Sequence, residues 1–236
     1  MAAAAKNKTP IERVVSLQFD ETAMEPMMEY DMKNKTIVGP VKEVQVVQVR
    51  GIVSDWKQII YSDFDKAMTP AIIYELVEKL FSIGYVVKVL ISDLSTSNQK
   101  LQKELGVTLI SPFFIHPSTN HKVYVKADEP HLIKLLRNHL IDGGIQLGDG
   151  HILNKKVLQE LLDTVRPPGD ILNLNSCFHL SQKLISVEPT HRQNVSRAVK
   201  LLSNKTATAL TCYLKSNDSL RMADFITMVR IFLIIS

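Results

Sequence analysis

The stretch TPAIIYELVEKLFSIGYVVKVLISD, residues 69–93, contains a helix pattern followed by a strand pattern, and it decides the fold class. Its first half places apolar side chains at helical spacing from Ile72 to Phe81, after a Thr-Pro start that is typical of a helix N-terminus. Its second half, VVKVLIS, is apolar nearly throughout, as expected of a strand that is buried on both faces. This combination predicts an α/β protein.

Three strand patterns precede that stretch. They are RVVSLQFD at residues 13–20, VQVVQVRGIV at 44–53 and QIIYSDF at 58–64. The short connections between them favour antiparallel pairing. The polar, Met-rich segment 25–35 is predicted to be a turn or an excursion.

The elements after residue 93 alternate between helix and strand. A polar helix is predicted over residues 95–105, a strand over KVYVKA at 122–127, and a helix over 129–141. The leucines and isoleucine of that last helix are expected to face inward, at Leu132, Ile133, Leu135, Leu136 and Leu140. Three antiparallel strands followed by βαβα is the order of an RNase H-like mixed sheet, whereas a Rossmann domain alternates from the outset.

The composition divides the chain into three parts. Residues 1–10 are expected to be a disordered N-terminus, residues 11–145 an RNase H-like domain and residues 146–236 a partial all-α domain. The Gly/Asp-rich segment 142–150 is predicted to be the linker between the two domains. Beyond it come only helix patterns, at residues 154–163, 192–204, 206–214 and from 218 onward, with a break at Pro167-Pro168-Gly169.

Composition also excludes some classes of protein. No stretch reaches the length of a membrane span, so no membrane partner is expected. Cys177 and Cys212 stand in unrelated contexts and predict neither a disulfide nor a zinc site, which favours the cytosol or the nucleus. The net charge of +4 is compatible with nucleic-acid binding but is common among cytosolic proteins.

Three aspartates stand at comparable points of the predicted sheet. Asp20 ends the first strand, Asp93 the fourth and Asp128 the fifth. Because ligands gather beyond the carboxyl ends of strands in such sheets, Asp20 and Asp93 are expected to lie side by side and to bind Mg²⁺. The alternative for each is a turn former or a helix cap, and Asp128 fits that alternative better than a metal ligand.

The helix after Asp128 carries a candidate contact to nucleic acid. Lys134 and Arg137 are three residues apart and are expected to share a face opposite the leucines. Such a row suits a phosphate backbone, and an ordinary solvated helix face is an equal interpretation.

Four blocks of this chain, in order, resemble the P-element and THAP-type transposase family. They are SLQFDE at residues 16–21, VQVVQVRGI at 44–52, ISDLSTSN at 91–98 and DEPHLIKLLRNHL at 128–140. The resemblance implies a nuclear, DNA-binding transposase whose RNase H-like domain cleaves and transfers DNA strands with a magnesium-binding triad of two aspartates and one glutamate. Asp20 matches its first aspartate and Asp93 its second.

The resemblance also covers the region after residue 146. NLNSCFHL, RQNVSRAVKLLSN and ADFITMV look like the start of the family's helical, GTP-binding insertion, which precedes the catalytic glutamate. Here His179 stands where the family often has Lys, and RIFLIIS replaces the stretch with the guanine contacts. The resemblance therefore implies a truncated transposase that lacks the catalytic glutamate and is inactive because its acidic triad is incomplete, and in which GTP binding is not expected.

Two other functions remain open from the sequence. The first is a domesticated, non-catalytic regulatory protein that binds DNA or a full-length transposase, or self-associates through its apolar C-terminus. The second is an RNase H-like domain of unrelated purpose, in which Asp20 and Asp93 would not converge.

Overall fold

The chain divides into two compact units, Met1–Asp128 and Glu129–Ser236. The computed structural model describes residue 1 and residues 5–33, 35–165, 180–186 and 188–235. The division falls immediately before the helix that the sequence assigned to the first domain, whose predicted boundary was near residue 145. The Pro167-Pro168-Gly169 break, Cys177 and His179 lie outside the described residues, as does NLNSCFHL apart from its final leucine.

The first unit is built on a six-stranded mixed sheet. Its strands are β1 (Val14–Asp31), β2 (Thr36–Gly51), β3 (Lys57–Phe64), β4 (Val86–Ser92), β5 (Phe113–Ile115) and β6 (Lys122–Ala127), in the order β3-β2-β1-β4-β6-β5. The pairs β1/β2, β2/β3 and β5/β6 are antiparallel, and β1/β4 and β4/β6 are parallel. The predicted α/β class, with antiparallel strands before a parallel βαβ unit, is confirmed. The three-residue β5 is too short to give a recognisable pattern in the sequence.

Two helices of this unit bear out their sequence signals. Helix α1 (Pro70–Ser82) begins after Thr69, whose side chain accepts a hydrogen bond from the backbone N–H of Ile72. Helix α2 (Thr96–Glu104) begins after Ser95, whose side chain accepts from the backbone N–H of Asn98. The core joins α1 to one face of the sheet and includes Val15, Leu17, Phe19, Val47, Val49, Ile73, Val77 and Leu80. The odd-numbered positions of β1 and β2 therefore face this core.

The segment 25–35, predicted to be a turn or an excursion, is strand up to Asp31 and a turn only at residues 32, 33 and 35. Strand β1 continues to Asp31 and pairs with β2 beyond Pro26. The register shifts between Ala23 and Met27, so Pro26 lies where the ladder is interrupted and its missing N–H is tolerated. A proline among polar residues therefore made the sequence of this long hairpin resemble a turn.

The amino-terminal residues contact the first unit. Ala5 is buried in its core, and the Lys8 ammonium lies 4.7 Å from the centre of the Trp56 ring. Two residues of the segment predicted to be disordered, Ala5 and Lys8, are thus packed against the rest of this unit.

The second unit is helical. Its helices are α3 (Glu129–Asp142), α4 (Lys155–Val165), α5 (Gln182–Ile185), α6 (Val195–Leu201), α7 (Asn204–Tyr213) and α8 (Asn217–Ile235). The predicted linker 142–150 instead contributes β7 (Ile145–Gln146) to a short hairpin with β8 (Ile152–Leu153). The predicted helix 192–204 is also shorter in the structure, because Asn194 caps α6 and Ser203 caps a separate α7. Apolar side chains from all these helices fill one core, to which α8 contributes Met222, Ala223, Phe225, Ile226 and Val229 and the other helices contribute leucines.

Two features of the structure concern membrane spanning and cysteine. Within the described part of the chain, no helix combines the length and apolar character needed to cross a bilayer. Cys212 is a free, exposed thiol.

Candidate metal centre

Asp20 and Asp93 lie on neighbouring parallel strands at the same level. In the β1/β4 ladder Gln18 is opposite Ile91. Asp20 comes two residues after Gln18, and Asp93 comes two residues after Ile91. Asp20 is exposed and Asp93 is half-buried. The structure therefore brings these two predicted site residues to one edge of the sheet, as expected for the carboxyl ends of parallel strands.

The neighbouring strand β6 brings Asp128 to the same edge. Ser92 is opposite Ala127 in the β4/β6 ladder, and the backbone N–H of Asp128 donates to the Ser92 carbonyl at 2.8 Å. Asp128 also directly precedes α3, which is the position that its alternative as a helix start requires. Its location suits both interpretations.

Asp93 has a defined orientation. Its Oδ1 accepts hydrogen bonds from the Ser95 backbone N–H at 3.0 Å and from Asn98 Nδ2 at 2.6 Å. Asn98 is only 4% exposed, so its amide is fixed by the packing of α2. Asp93 thus tethers the start of α2, and its carboxylate is held at the sheet edge by that same contact.

The Asp20 backbone is held by strand β2. Gln45, which is 2% exposed, donates from Nε2 to the Asp20 carbonyl oxygen at 3.2 Å. The Asp20 carboxylate accepts from the backbone N–H of Glu21 at 2.9 Å. Asp20 therefore presents a carboxylate on a fixed stretch of backbone.

Negative charge accumulates around this pair. Burial raises the pKa of Glu21, and the neighbouring charges of Glu43, Asp93 and Asp20 raise it further. Carboxylates this close repel one another unless a cation lies between them. An oxygen-only donor set of this kind fits a hard cation such as Mg²⁺, and Asp20 and Asp93 are the residues that could hold it. In the described parts of the chain, no three acidic, histidine or cysteine side chains form a metal cage.

Three residues of this region were missed by the sequence analysis: Glu21, Gln45 and Asn98. Glu21 follows Asp20 directly, and Gln45 is a polar residue inside the apolar VQVVQV strand, so a weak signal existed for both. Asn98 gave no signal beyond its place in the first turn of a helix that follows a strand-end aspartate.

The expectation of a solvated basic face on α3 is wrong. Lys134 is 8% exposed and Arg137 is 1% exposed. The Lys134 ammonium donates to Gln193 Oε1 at 3.0 Å, and Arg137 Nη2 donates to the carbonyls of His191 and Arg192 at 3.1 and 2.8 Å. These groups are engaged inside the second unit, whereas Leu135, expected to face inward, is 38% exposed. The side chains of Lys134 and Arg137 find amide and carbonyl acceptors there. Because Arg137 Nε has no hydrogen-bond partner among the described residues, these contacts offset only part of the loss of water.

Comparisons with known proteins agree with the arrangement of the sheet. Residues 40–106 match the family described as TNP-like, RNase H N-terminal domain. Over 204 residues, 86% of this chain, the sequence is 37% identical to the Transposable element P transposase of Drosophila melanogaster. The chain is therefore similar to a P element transposase. It spans 26% of the length of that relative.

A solved structure shares the fold. The chain superposes on the Drosophila P element transposase strand transfer complex with a TM-score of 0.86 and 33% identity, covering 97% of this chain and 52% of the other. The RNase H-like fold expected from the order of elements is therefore confirmed. The matched family region includes Asp93 and Gln45, and Asp20 lies before it.

Proposed function

We propose that this chain supplies Asp20 and Asp93 as the first two carboxylates of a Mg²⁺ site for DNA strand cleavage and transfer in a nuclear, P element-type transposase. The observation that carries the proposal is the level position of these aspartates on adjacent parallel strands. The similarity to a P transposase, and to a chain solved in a strand transfer complex, supports DNA as the substrate.

The chain's own residues bind and orient in this function. Asn98 and the Ser95 backbone hold the Asp93 carboxylate, and Gln45 holds the Asp20 backbone. Bound Mg²⁺ would supply Lewis-acid activation of the attacking oxygen and stabilisation of the leaving oxygen. The acidic edge repels DNA phosphates without a cation, so we expect DNA to approach this edge only when divalent metal is present.

We propose that the 236-residue polypeptide alone binds metal but has low DNA-cleavage activity. This proposal rests on the observation that no cage of three ligating side chains occurs within the described ranges. Two carboxylates bind a hydrated Mg²⁺ more weakly than three and leave its position less restrained.

The test is a Mn²⁺ titration followed by electron paramagnetic resonance of the free ion. We expect Asp20→Asn and Asp93→Asn each to weaken one class of Mn²⁺ site by roughly tenfold or more, because each removes a charged ligand. Asp55→Asn is the matched control, since this fully exposed side chain lies in the β2–β3 connection and loses the same charge. Unchanged binding in both site variants would overturn the proposal. A plasmid-cleavage assay tests whether the polypeptide cleaves DNA slowly. Rapid metal-dependent cleavage that Asp20→Ala abolishes would contradict the proposed low cleavage activity, but it would support the metal site.

A second candidate function is a non-catalytic protein that binds a transposase or a copy of itself. It is favoured by the exposed apolar side chains of α8, which are Leu220, Met228, Ile231 and Phe232. In the same experiments this function would give no metal-dependent cleavage and no effect of the aspartate variants, together with association visible by sedimentation.

A further inference from the structure

Gln45 is a buried polar residue whose bonding is incomplete. Its side chain is 2% exposed, and its Nε2 donates to the Asp20 carbonyl oxygen at 3.2 Å. Its Oε1 has no hydrogen-bond partner within the described part of the chain. Rotating the amide would place Oε1 against the Asp20 carbonyl, where two acceptors repel, so the orientation is fixed by chemistry. An acceptor is therefore buried without a donor, which calls for a ligand.

This acceptor lines a cleft together with two carboxylates. Gln45 is directly opposite Glu21 in the β1/β2 ladder, and Glu43 lies two residues earlier on the same face of β2. All three line a cleft of about 800 Å³ that continues the core face of the sheet past the last apolar pair. The cleft also adjoins Ser97 at the start of α2.

We propose that this cleft binds a divalent metal cation, held by Gln45 Oε1 and by the carboxylates of Glu21 and Glu43. This site goes beyond the Asp20–Asp93 pair and uses different side chains. Amide and carboxylate oxygens accept but do not donate, and they are the ligands preferred by Mg²⁺, Mn²⁺ and Ca²⁺.

The basic residues of the cleft do not replace that cation. The Lys66 ammonium already pairs with Asp63 at 2.7 Å. Lys42 is exposed at the rim, and its backbone N–H donates to Asp65 Oδ1 at 3.0 Å. A positive charge at the rim lowers the affinity of the site for a cation, so Lys42 should weaken metal binding in the cleft.

The decisive experiment is a Mn²⁺ titration of the Asp93→Asn protein, in which the other site is already weakened. We expect one remaining class of bound Mn²⁺, and we expect Glu43→Gln in that background to weaken it by roughly tenfold. Glu25→Gln, an exposed residue of the same hairpin, is the matched control and should leave it unchanged. Since Glu43 is exposed, its variant should fold, and circular dichroism checks this.

Two further variants sharpen the result. Gln45→Leu should weaken Mn²⁺ binding as Glu43→Gln does, and Lys42→Ala should tighten it. The proposal is overturned if Glu43→Gln leaves the remaining Mn²⁺ bound, or if Asp93→Asn alone removes all binding. Loss on Glu43→Gln without any effect of Asp93→Asn would instead retain this site and reject the Asp20–Asp93 function.

Discussion

The two units treat their charged residues in opposite ways. At the edge of the sheet, Asp20 is exposed and Asp93 half-buried, and both occupy the strand-end positions that the sequence indicated. On α3, Lys134 and Arg137 are charged residues at an equally suggestive spacing, yet both are buried. The carboxyl end of a strand lies at an edge of the sheet, where its side chains are accessible to a ligand. Whether a helix face is exposed or buried depends on the element that packs against it.

That partner is the segment before α6. Helix α3 packs chiefly against α6, and the preceding turn offers the carbonyls of His191 and Arg192 to Arg137. Burial lowers the pKa of the Arg137 guanidinium, and the positive charges of Arg192 and Arg197 lower it further. Arg137 is thus a structural donor that holds a turn, with two like charges and the opposite charge of Asp142 near it.

The largest effect expected from this difference concerns Arg137→Ala. We expect the free energy of unfolding of the second unit to fall by about 3 kcal/mol, because the carbonyls of His191 and Arg192 lose the charged Arg137 donor and a cavity remains. Urea denaturation, followed by the far-UV circular dichroism signal of the helices, measures this loss.

The control for this prediction is Lys205→Ala on α7. Lys205 is exposed, so the same change of charge should alter stability by no more than about 0.5 kcal/mol. An Arg137→Ala protein of unchanged stability but weakened DNA binding would restore the phosphate contact that the burial of Arg137 argues against.

Local patterns predicted the elements that position the candidate metal centre. Strand β4 was expected over residues 86–92 and β6 over 122–127, and both have those bounds in the structure. Their apolar content and flanking aspartates are short-range properties, so a single sequence carries them. Helix α1 was recoverable for the same reason, from its Thr-Pro start and its apolar face.

The features that could not be predicted depend on contacts between distant residues. Gln45 holds the backbone of Asp20 from 25 positions away, and no spacing rule relates the two. The burial of Arg137 depends on carbonyls 54 and 55 positions along the chain. The continuation of β1 past Pro26 depends on pairing with β2, which stabilises a strand whose own sequence indicates a turn.

An intermediate effect is expected at Asn98, the residue that orients Asp93. Replacing Asn98 by Ala removes the 2.6 Å hydrogen bond to Asp93 Oδ1 and should weaken Mn²⁺ binding at the Asp20–Asp93 pair by about tenfold, as is typical for residues that orient a ligand. Mn²⁺ titration monitored by electron paramagnetic resonance measures the change.

Gln99→Ala is the comparison variant for Asn98. Its Nε2 donates to the Leu94 carbonyl at 2.8 Å, so it also supports the start of α2 but does not touch Asp93. Equal loss of Mn²⁺ affinity in the two variants would mean that Asn98 acts only through the stability of the helix.

The smallest effect concerns Glu21, whose pKa is raised by burial and by the acids around it. Because the folded protein binds the Glu21 proton more tightly than the unfolded chain, stability falls as the pH rises from the ordinary value of 4.5 through the raised folded pKa, and it stays lower above that window. Glu21→Gln cannot ionise, so at pH values above the window it should be more stable than the native chain by about 0.5 kcal/mol or less. Below the window the variant and the native chain should have the same melting temperature.

Thermal denaturation at acidic and neutral pH tests this prediction, with Glu25→Gln as the exposed control on the same strand. Divalent cation should shrink the difference at neutral pH, because it neutralises the same repulsion. A variant less stable at neutral pH would mean that the Glu21 carboxylate makes a favourable contact that outweighs the charge around it.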